Sequence, residues 1–201
     1  MIDAIILDIG GVICFPDGPP LGDKWAPRCA MTPQDFDNVV YRSEWGAKAL
    51  VGEITDKEMW SAMGTRLNLS SSEIAELEKD YWNVRWDTTL LDRIRNLEND
   101  VKLGILSNAI VSAREKVRPW INDGLFDAIV FSAEEHICKP DPRLYLIALQ
   151  RLNVAAEATI FVDDRLENVT AANNLGIHGL HYPDFSSLVE ALGRFCIHLG
   201  M

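Results

Sequence analysis

The sequence predicts an α/β fold built on a parallel sheet, with an all-helical segment inserted after the first strand. Short apolar runs of strand length recur along the chain, and helix-like segments separate the later ones. Strands that alternate with helices are typical of a parallel sheet with right-handed crossovers. A long stretch without strand signals separates the first two runs. The five runs are AIIL (4–7), KLGIL (102–106), AIVF (128–131), ATIFV (158–162) and IHGLHY (177–182).

Three segments between the later runs have the pattern of helices. Apolar residues in 112–123 and 142–153 recur about every 3.6 residues, which places them on one face of a helix. The third segment, 166–176, ends in Gly176. Glycine commonly terminates helices because it adopts a left-handed backbone without strain. We expect these helices to cover the sheet.

The stretch 14–97 is predicted to form a separate cap. It begins with the Pro- and Gly-rich segment CFPDGPPLGDKWAP (14–27), which predicts a loop, and it holds no convincing strand. Segment 89–100 is predicted to lead back to the sheet. The domain prediction is therefore a core of residues 1–13 and 98–201 and a helical cap of 14–97. Helix starts within the cap are predicted at Thr32 before Pro33, at Thr55 with Glu58, and at Ser70 with Glu73.

Composition limits the classes of function. The chain has 201 residues, a formal net charge of -11 and 48% apolar residues. Such acidity disfavours a nucleic-acid partner, and no apolar run reaches the roughly 18 residues that a membrane span needs. Asp3 and Asp8 occupy the region where a signal peptide carries basic residues. We therefore expect a cytoplasmic protein without a membrane partner; the sequence indicates no oligomeric state.

The cysteines do not have the spacing of a metal site. They lie singly at 14, 29, 138 and 196, with no C-x-x-C pair. Scattered cysteines of this kind are typical of reduced, partly buried thiols. A structural zinc site is therefore not expected.

Polar residues follow several of the predicted strands at the point where each strand ends. In an open parallel sheet, ligands bind beyond the carboxyl ends of the strands. We therefore expect these side chains to meet at one edge of the sheet. They are Asp8 after the first run, Ser107 and Asn108 after the second, Ser132 and then Lys139 after the third, and Asp163 with Asp164 after the fourth.

The residue types in this set suit phosphate chemistry. Three neighbouring carboxylates repel one another unless a cation joins them, and oxygen ligands favour Mg²⁺. A hydroxyl group and a lysine opposite the metal can hold and neutralise a phosphoryl group. One of the carboxylates can then act as a nucleophile and form an aspartyl-phosphate.

These motifs resemble those of the haloacid dehalogenase (HAD) superfamily, in the branch with a helical cap inserted after the first strand. LDIGGVI is similar to the first motif, with Asp8 at the nucleophile position, and ILSNA to the second, with Ser107 as the phosphate-binding hydroxyl. KPDP resembles the third motif, with Lys139, and FVDDRLENVTAANNLGI the fourth, with Asp163 and Asp164. GEIT (52–55) is similar to a segment common in these caps.

The resemblance implies a Rossmann-like core, a closing cap and hydrolysis of small phosphomonoesters. It implies Mg²⁺ held by Asp8, the Gly10 carbonyl and Asp164, with Asp163 bound directly or through water. Ser107, Asn108 and Lys139 would bind the phosphate. Asn168 stands where many relatives carry a further acid.

Gly10 departs from the family pattern, because most of the phosphatases have an aspartate there that protonates the leaving group. Phosphatase-like members with a D-x-G first motif form a subgroup, and sugar-1-phosphate hydrolysis is known among them, so the resemblance implies a sugar phosphate-like substrate. A general acid contributes about 10²–10⁴ in rate. The alternatives are a catalytically impaired phosphate-binding or regulatory protein, a dehalogenase, and a signalling receiver domain. The acid pair at 163 and 164 disfavours the dehalogenase, and its late position in the chain disfavours the receiver.

Other residues are weaker candidates. His136 fits a turn better than a proton donor, because histidine tolerates a positive φ. Five of the six tryptophans lie in the predicted cap, where core packing is a simpler interpretation than a substrate pocket. Polar cap candidates for substrate contact are Arg42, Glu44 and Arg85.

Overall fold

Five parallel strands form the central sheet, in the order β5-β4-β1-β6-β7. The computed structural model describes residues 1–97, 101–121, 124–182, 184–195 and 197. The strands are β1 (Ala4–Leu7), β2 (Cys14–Pro16), β3 (Val84–Trp86), β4 (Lys102–Ser107), β5 (Ala128–Phe131), β6 (Thr159–Asp163) and β7 (His178–His181). All five predicted strands are thus confirmed, and β1 lies at the centre between β4 and β6.

Helices cover both faces of this sheet and form most of the insert. They are α1 (Leu21–Trp25), α2 (Pro33–Tyr41), α3 (Glu44–Leu50), α4 (Asp56–Leu67), α5 (Ser71–Tyr81), α6 (Thr88–Arg95), α7 (Ala113–Ile121), α8 (Ser132–Glu135), α9 (Pro142–Leu152), α10 (Leu166–Asn174) and α11 (Phe185–Gly193), with 3-10 turns at Ala26–Cys29 and Ala156–Ala158. The helices predicted at 112–123, 142–153 and 166–176 are confirmed as α7, α9 and α10. None of the described helices is long and apolar enough to cross a membrane.

The central strand divides the core into two layers. Ile5 and Leu7 point into one apolar cluster, which includes residues of α6, α7 and α11. Ala4 and Ile6 point into another, which includes residues of α9 and α10. This alternation follows from the two-residue period of a strand, and burial on both faces explains why β1 is apolar throughout.

The insert has an apolar core of its own. It is formed by buried residues of α1, α2, α4 and α5, among them Trp25, Phe36, Met63 and Leu77. The three predicted helix starts are observed: the side chains of Thr32, Thr55 and Ser70 each accept a hydrogen bond from the backbone of the helix that follows. The last two form reciprocal capping boxes, which satisfy two backbone donors at each helix start.

The prediction that the insert is all-helical is wrong in one respect. Strands β2 and β3 pair antiparallel, with Cys14 opposite Trp86. Each strand has only three residues and its partner lies far away in the sequence, so no local alternation marks the pair. Pro16 ends β2 at a ladder edge, where its missing N–H is tolerated.

The predicted loop at 14–27 is also only partly a loop, because it contains β2 and α1. Gly22 suggested a loop, but it lies inside α1, where a Cβ would come within 2.7 Å of the Pro33 carbonyl oxygen. This glycine therefore permits a close approach of two helices. Of the cysteines, Cys14, Cys29 and Cys138 are free and buried or partly buried; Cys196 and His198 lie outside the described residues.

Polar and close backbone contacts attach the insert to the core. The Asp56 carboxylate, at the start of α4, accepts a hydrogen bond of 3.0 Å from the Ser112 backbone N–H. The His136 ring nitrogen Nδ1 lies 2.8 Å from the Val51 carbonyl oxygen. Gly52, the first residue of GEIT, passes so close to Ala133 that a Cβ would come within 2.4 Å of its carbonyl oxygen. The GEIT segment thus lies where the insert meets the core.

Candidate active site

Three carboxylates converge at the carboxyl edge of the sheet. Asp8 follows β1 directly, Asp163 is the last residue of the neighbouring β6, and Asp164 comes next. One carboxylate oxygen from each lies within 4.8 Å of the other two. The adjacency of β1 and β6 therefore produces the cluster that the sequence predicted.

Lys139 lies between two of these carboxylates. Its Nζ is 2.7 Å from Oδ2 of Asp163 and 3.1 Å from Oδ1 of Asp8, and it donates a 2.8 Å hydrogen bond to the Leu106 carbonyl oxygen. The Lys139 side chain is 1% exposed and that of Asp163 is 0% exposed. A buried charge requires a partner, so the lysine and the carboxylates depend on one another.

Local sequence places Lys139 at this point. Helix α8 ends at His136, whose φ of 58° is the left-handed conformation that closes the helix. The turn interpretation of His136 is therefore confirmed. The Asn108 side chain then holds the Lys139 backbone at both groups: Oδ1 accepts from the Lys139 N–H at 2.8 Å, and Nδ2 donates to its carbonyl oxygen at 3.0 Å. The Asn108 side chain is thus engaged in positioning Lys139.

Asp163 is surrounded by hydrogen-bond donors. Besides Lys139, Oδ1 accepts from the Arg165 backbone N–H at 2.8 Å, and the Asn168 amide Nδ2 lies 3.0 Å from both carboxylate oxygens. An amide at 168 supplies a donor without adding a fourth negative charge. Asn168 therefore supports Asp163 as a hydrogen-bond donor.

The charged forms of Asp8 and Asp164 are electrostatically unfavourable when no metal cation is bound beside them. Burial raises the pKa of Asp8, and Asp163 adds to the increase, although Lys139, the Ser107 hydroxyl and the Ile9 amide oppose it. The pKa of Asp164 is also raised. Burial is the largest cause, and the negative charges of Asp8 and Asp163 raise it further. A donor set made only of oxygens, with more negative charge than one lysine offsets, fits a hard divalent cation such as Mg²⁺.

The two glycines after Asp8 have different surroundings. Gly11 has a φ of +76°, and a Cβ there would lie 2.6 Å from the Asp164 carboxylate, so only glycine fits. A Cβ on Gly10 would meet no atom within 4 Å. Space for a side chain therefore exists at position 10, but this chain has no acid there.

A cavity of about 630 Å³ opens over these groups, between core and insert. Its polar end is formed by sequence-predicted residues: Asp8, Gly10, Ser107, Asn108, Lys139 and Asp164. Asp163 supports this end from behind and does not line the cavity.

Sequence reasoning missed much of the opposite wall. Trp82 and Trp86 line the cavity, and each also packs against an apolar cluster. The core-packing interpretation therefore holds for these tryptophans as for Trp25 and Trp60, but it missed that two of them also face the cavity. Trp120 and Lys116 of α7 also line it. The 3.6-residue recurrence of apolar residues in α7 predicts a helix, but it does not predict which of the exposed residues face a cavity. Arg42, Glu44 and Arg85, the polar candidates, are not among the lining residues.

The fold and this site define a class of protein with a buried carboxylate–lysine centre at the carboxyl edge of a Rossmann-like sheet. The family model of the haloacid dehalogenase-like hydrolases matches residues 2–176. The chain therefore belongs to the haloacid dehalogenase-like hydrolase family, and its relatives include named phosphatases.

Individual relatives support this assignment. The chain is 30% identical over 189 residues to the sesquiterpene phosphatase of Aspergillus oryzae, covering 90% of each. It is 36% identical over 69 residues to a phosphorylated carbohydrates phosphatase of Thermotoga maritima, covering 34% of this chain and 32% of that protein. A HAD family enzyme of Bacteroides thetaiotaomicron, solved with magnesium and inorganic phosphate, has a TM-score of 0.77 at 19% identity, covering 94% of this chain and 99% of that one.

The buried ion pair generates a prediction about stability. Replacing Lys139 by Met leaves Asp163 and Asp8 buried without their cation, which should lower the free energy of unfolding by about 3–5 kcal/mol. The double variant Lys139→Met/Asp163→Asn removes one of the stranded charges and should be more stable than the single variant by about 1 kcal/mol or more. Urea denaturation at pH 7 without added metal measures both.

The control is Arg143→Met, which removes an exposed ion pair with Asp141 that solvent screens. It should change stability far less than Lys139→Met. Equal effects of the two single variants, or no recovery in the double variant, would contradict the electrostatic interpretation.

Proposed function

We propose that this protein is a Mg²⁺-dependent phosphohydrolase that acts on a small phosphorylated metabolite through an aspartyl-phosphate on Asp8. The observation that carries the proposal is the position of Lys139 Nζ, 3.1 Å from Asp8 and 2.7 Å from Asp163, at the polar end of the cavity. A nucleophilic carboxylate and a fixed cation are the two groups that phosphoryl transfer to an aspartate requires. The named phosphatases among the relatives support the reaction class.

The residues present fit the metal. Asp8, Asp164 and the Gly10 carbonyl would hold Mg²⁺, because all three residues line the cavity and supply oxygen ligands. Asp163 would not be a direct ligand, because its oxygens already accept hydrogen bonds from Lys139, Asn168 and the Arg165 N–H. When bound, the metal would supply positive charge that orients the phosphoryl group and offsets the carboxylates.

The chain's own groups account for the chemical steps. A carboxylate oxygen of Asp8 attacks phosphorus; an oxygen–phosphorus bond forms, the bond to the leaving oxygen breaks, and that oxygen takes a proton from water. Lys139 and the Ser107 hydroxyl hold the phosphoryl oxygens, and the Asn108 side chain keeps Lys139 in place. Water then cleaves the acyl phosphate, which releases inorganic phosphate and restores the carboxylate.

Gly10 favours a second candidate, a phosphate-binding or regulatory protein without efficient turnover. Its missing carboxylate removes the general acid and base that would speed both steps. Beryllofluoride, a phosphoryl analogue, would then bind at Asp8 although a broad panel of phosphate esters is not hydrolysed. Turnover of any phosphomonoester that depends on Asp8 excludes this candidate.

The first test of the proposed function is Asp8→Asn. The amide keeps the size of the side chain but is not a nucleophile, so hydrolysis of a generic aryl phosphate with Mg²⁺ should fall by at least about 10³-fold. Chelation of the metal should abolish wild-type turnover, and added Mg²⁺ should restore it. The matched control, Asp92→Asn, changes an exposed carboxylate and should leave the rate unaltered. Turnover that survives in Asp8→Asn would exclude the aspartyl-phosphate.

Gly10→Asp tests whether the missing acid limits the rate. Because the position has free space and an ordinary backbone conformation, the new carboxylate should raise kcat for alkyl phosphates at least tenfold, with about 10²–10⁴ as the ceiling for a general acid. Gly10→Asn is the isosteric control without an acid. An increase that is equal in both variants, or absent from Gly10→Asp, would show that proton transfer is not limiting.

A further inference from the structure

The wall of the cavity opposite the carboxylates is aromatic. It consists of Phe15, Tyr41, Tyr81, Trp82, Trp86 and Trp120, contributed by the insert and by α7. Trp86 and Trp120 are stacked, with ring centroids 5.5 Å apart and 16° between planes. Tyr81 and Trp82 meet edge to face at 5.2 Å. Stacked and edge-to-face arrangements are the preferred geometries of aromatic pairs, so these rings have defined positions in the wall.

Part of this wall is exposed although it is apolar. Trp120 is 41% exposed and Tyr41 is 53% exposed, which places them among the most exposed large apolar residues of the described chain. Large apolar side chains exposed in a concave site are typical of ligand-binding surfaces. The wall therefore has apolar area that a ligand could cover.

The insert contributes few hydrogen-bonding groups to the cavity wall: the hydroxyls of Tyr41 and Tyr81, the indole N–H groups of Trp82 and Trp86, and the Cys14 thiol. Within 14–97, all of which the structure describes, the lining residues are Cys14, Phe15, Pro16, Tyr41, Tyr81, Trp82, Val84 and Trp86. None of these carries a carboxylate, amide, ammonium or guanidinium group. A site built to select a polyhydroxylated ligand needs several such groups, because unpaired hydroxyls are costly to bury. Lys116 and Arg165, on the core side, are the cationic groups outside the carboxylate end.

We propose that the leaving group of the substrate is a hydrocarbon chain or ring system, so that the substrate is the phosphate monoester of an apolar alcohol rather than of a sugar. This inference rests on the proposed function, which fixes the phosphoryl group at Asp8 and Lys139. The hydrocarbon then lies against Trp82, Trp86 and Trp120. The cavity volume of about 630 Å³ lies within the range of small-molecule sites, roughly 300–1,000 Å³.

A series of alkyl phosphates tests this directly. The leaving alcohols of ethyl, butyl, hexyl and octyl phosphate have similar basicity, so differences in kcat/KM report contacts with the wall. Each methylene covered by aromatic side chains should raise kcat/KM by up to roughly fourfold, and octyl phosphate should exceed ethyl phosphate at least about a hundredfold. Glucose 6-phosphate should lie at least about tenfold below octyl phosphate. A flat series, or a preference for the sugar phosphate, overturns the inference.

Binding of alkylphosphonates separates this inference from the proposed function. Their carbon–phosphorus bond is not hydrolysed, so calorimetry with wild-type protein and Mg²⁺ reports affinity alone. If affinity rises from ethyl- to octylphosphonate, the apolar site is supported. If no ester is hydrolysed in the same preparation, the proposed hydrolase function is overturned while the apolar site stands. Affinity that is independent of chain length overturns the apolar site even if esters are hydrolysed.

Trp120→Ala locates the contact. Trp120 is partly exposed on α7, so its truncation should leave the fold intact while lowering the octyl-to-ethyl ratio of kcat/KM about tenfold. Trp120→Phe keeps an aromatic face and should retain most of the ratio. Leu146→Ala is the matched control, because Leu146 is 51% exposed on α9 and does not line the cavity. A ratio that is unchanged in both alanine variants would remove Trp120 from the proposed wall.

Discussion

Lys139 lies between two carboxylates from neighbouring strands, and much of the molecule serves to keep it there. The pairing of β1 with β6 places Asp8 beside Asp163, and both are too buried for water to screen their repulsion. The lysine must therefore arrive from the connection between β5 and α9 with its backbone held, which Asn108 does from the end of β4. Four segments of chain thus meet in one group of charges that stays net negative, with Asp164 and Asp8 left to face the cavity.

This arrangement separates the chemistry from the choice of substrate. The charged end of the cavity comes from strand ends of the core, whereas the aromatic end comes from the insert and from α7. The Asp56–Ser112 contact and the close approach of Gly52 to Ala133 fix the insert over the core. If the proposed function holds, the same fold keeps one phosphoryl site while the cavity wall adapts to a different leaving group, in accord with the general separation of sites from folds.

The strands and the capping boxes at Thr55 and Ser70 were predictable because each depends on a few adjacent residues. The charged strand ends were predictable because ligands bind at the carboxyl edge of a parallel sheet. Features set by distant residues were not predictable. The β2–β3 pairing joins Cys14 to Trp86 across the whole insert, and only packing decides that Trp82 faces the cavity while Trp60 is buried. Arg42, Glu44 and Arg85 looked suitable by residue type, yet the folding of the insert keeps them off the cavity wall.

In the proposed reaction, Asp8 carries the phosphoryl group between the two chemical steps. Gly10 provides no base to activate water, so the acyl phosphate should hydrolyse slowly and accumulate. Rapid acid quenching during turnover of an aryl phosphate, followed by peptide mass spectrometry, detects it. We expect one added phosphoryl group on the Asp8 peptide, absent from Asp8→Asn and lost as the substrate is exhausted. Turnover with a phosphoryl group on another residue, or with none on Asp8 at any quench time, would contradict this expectation.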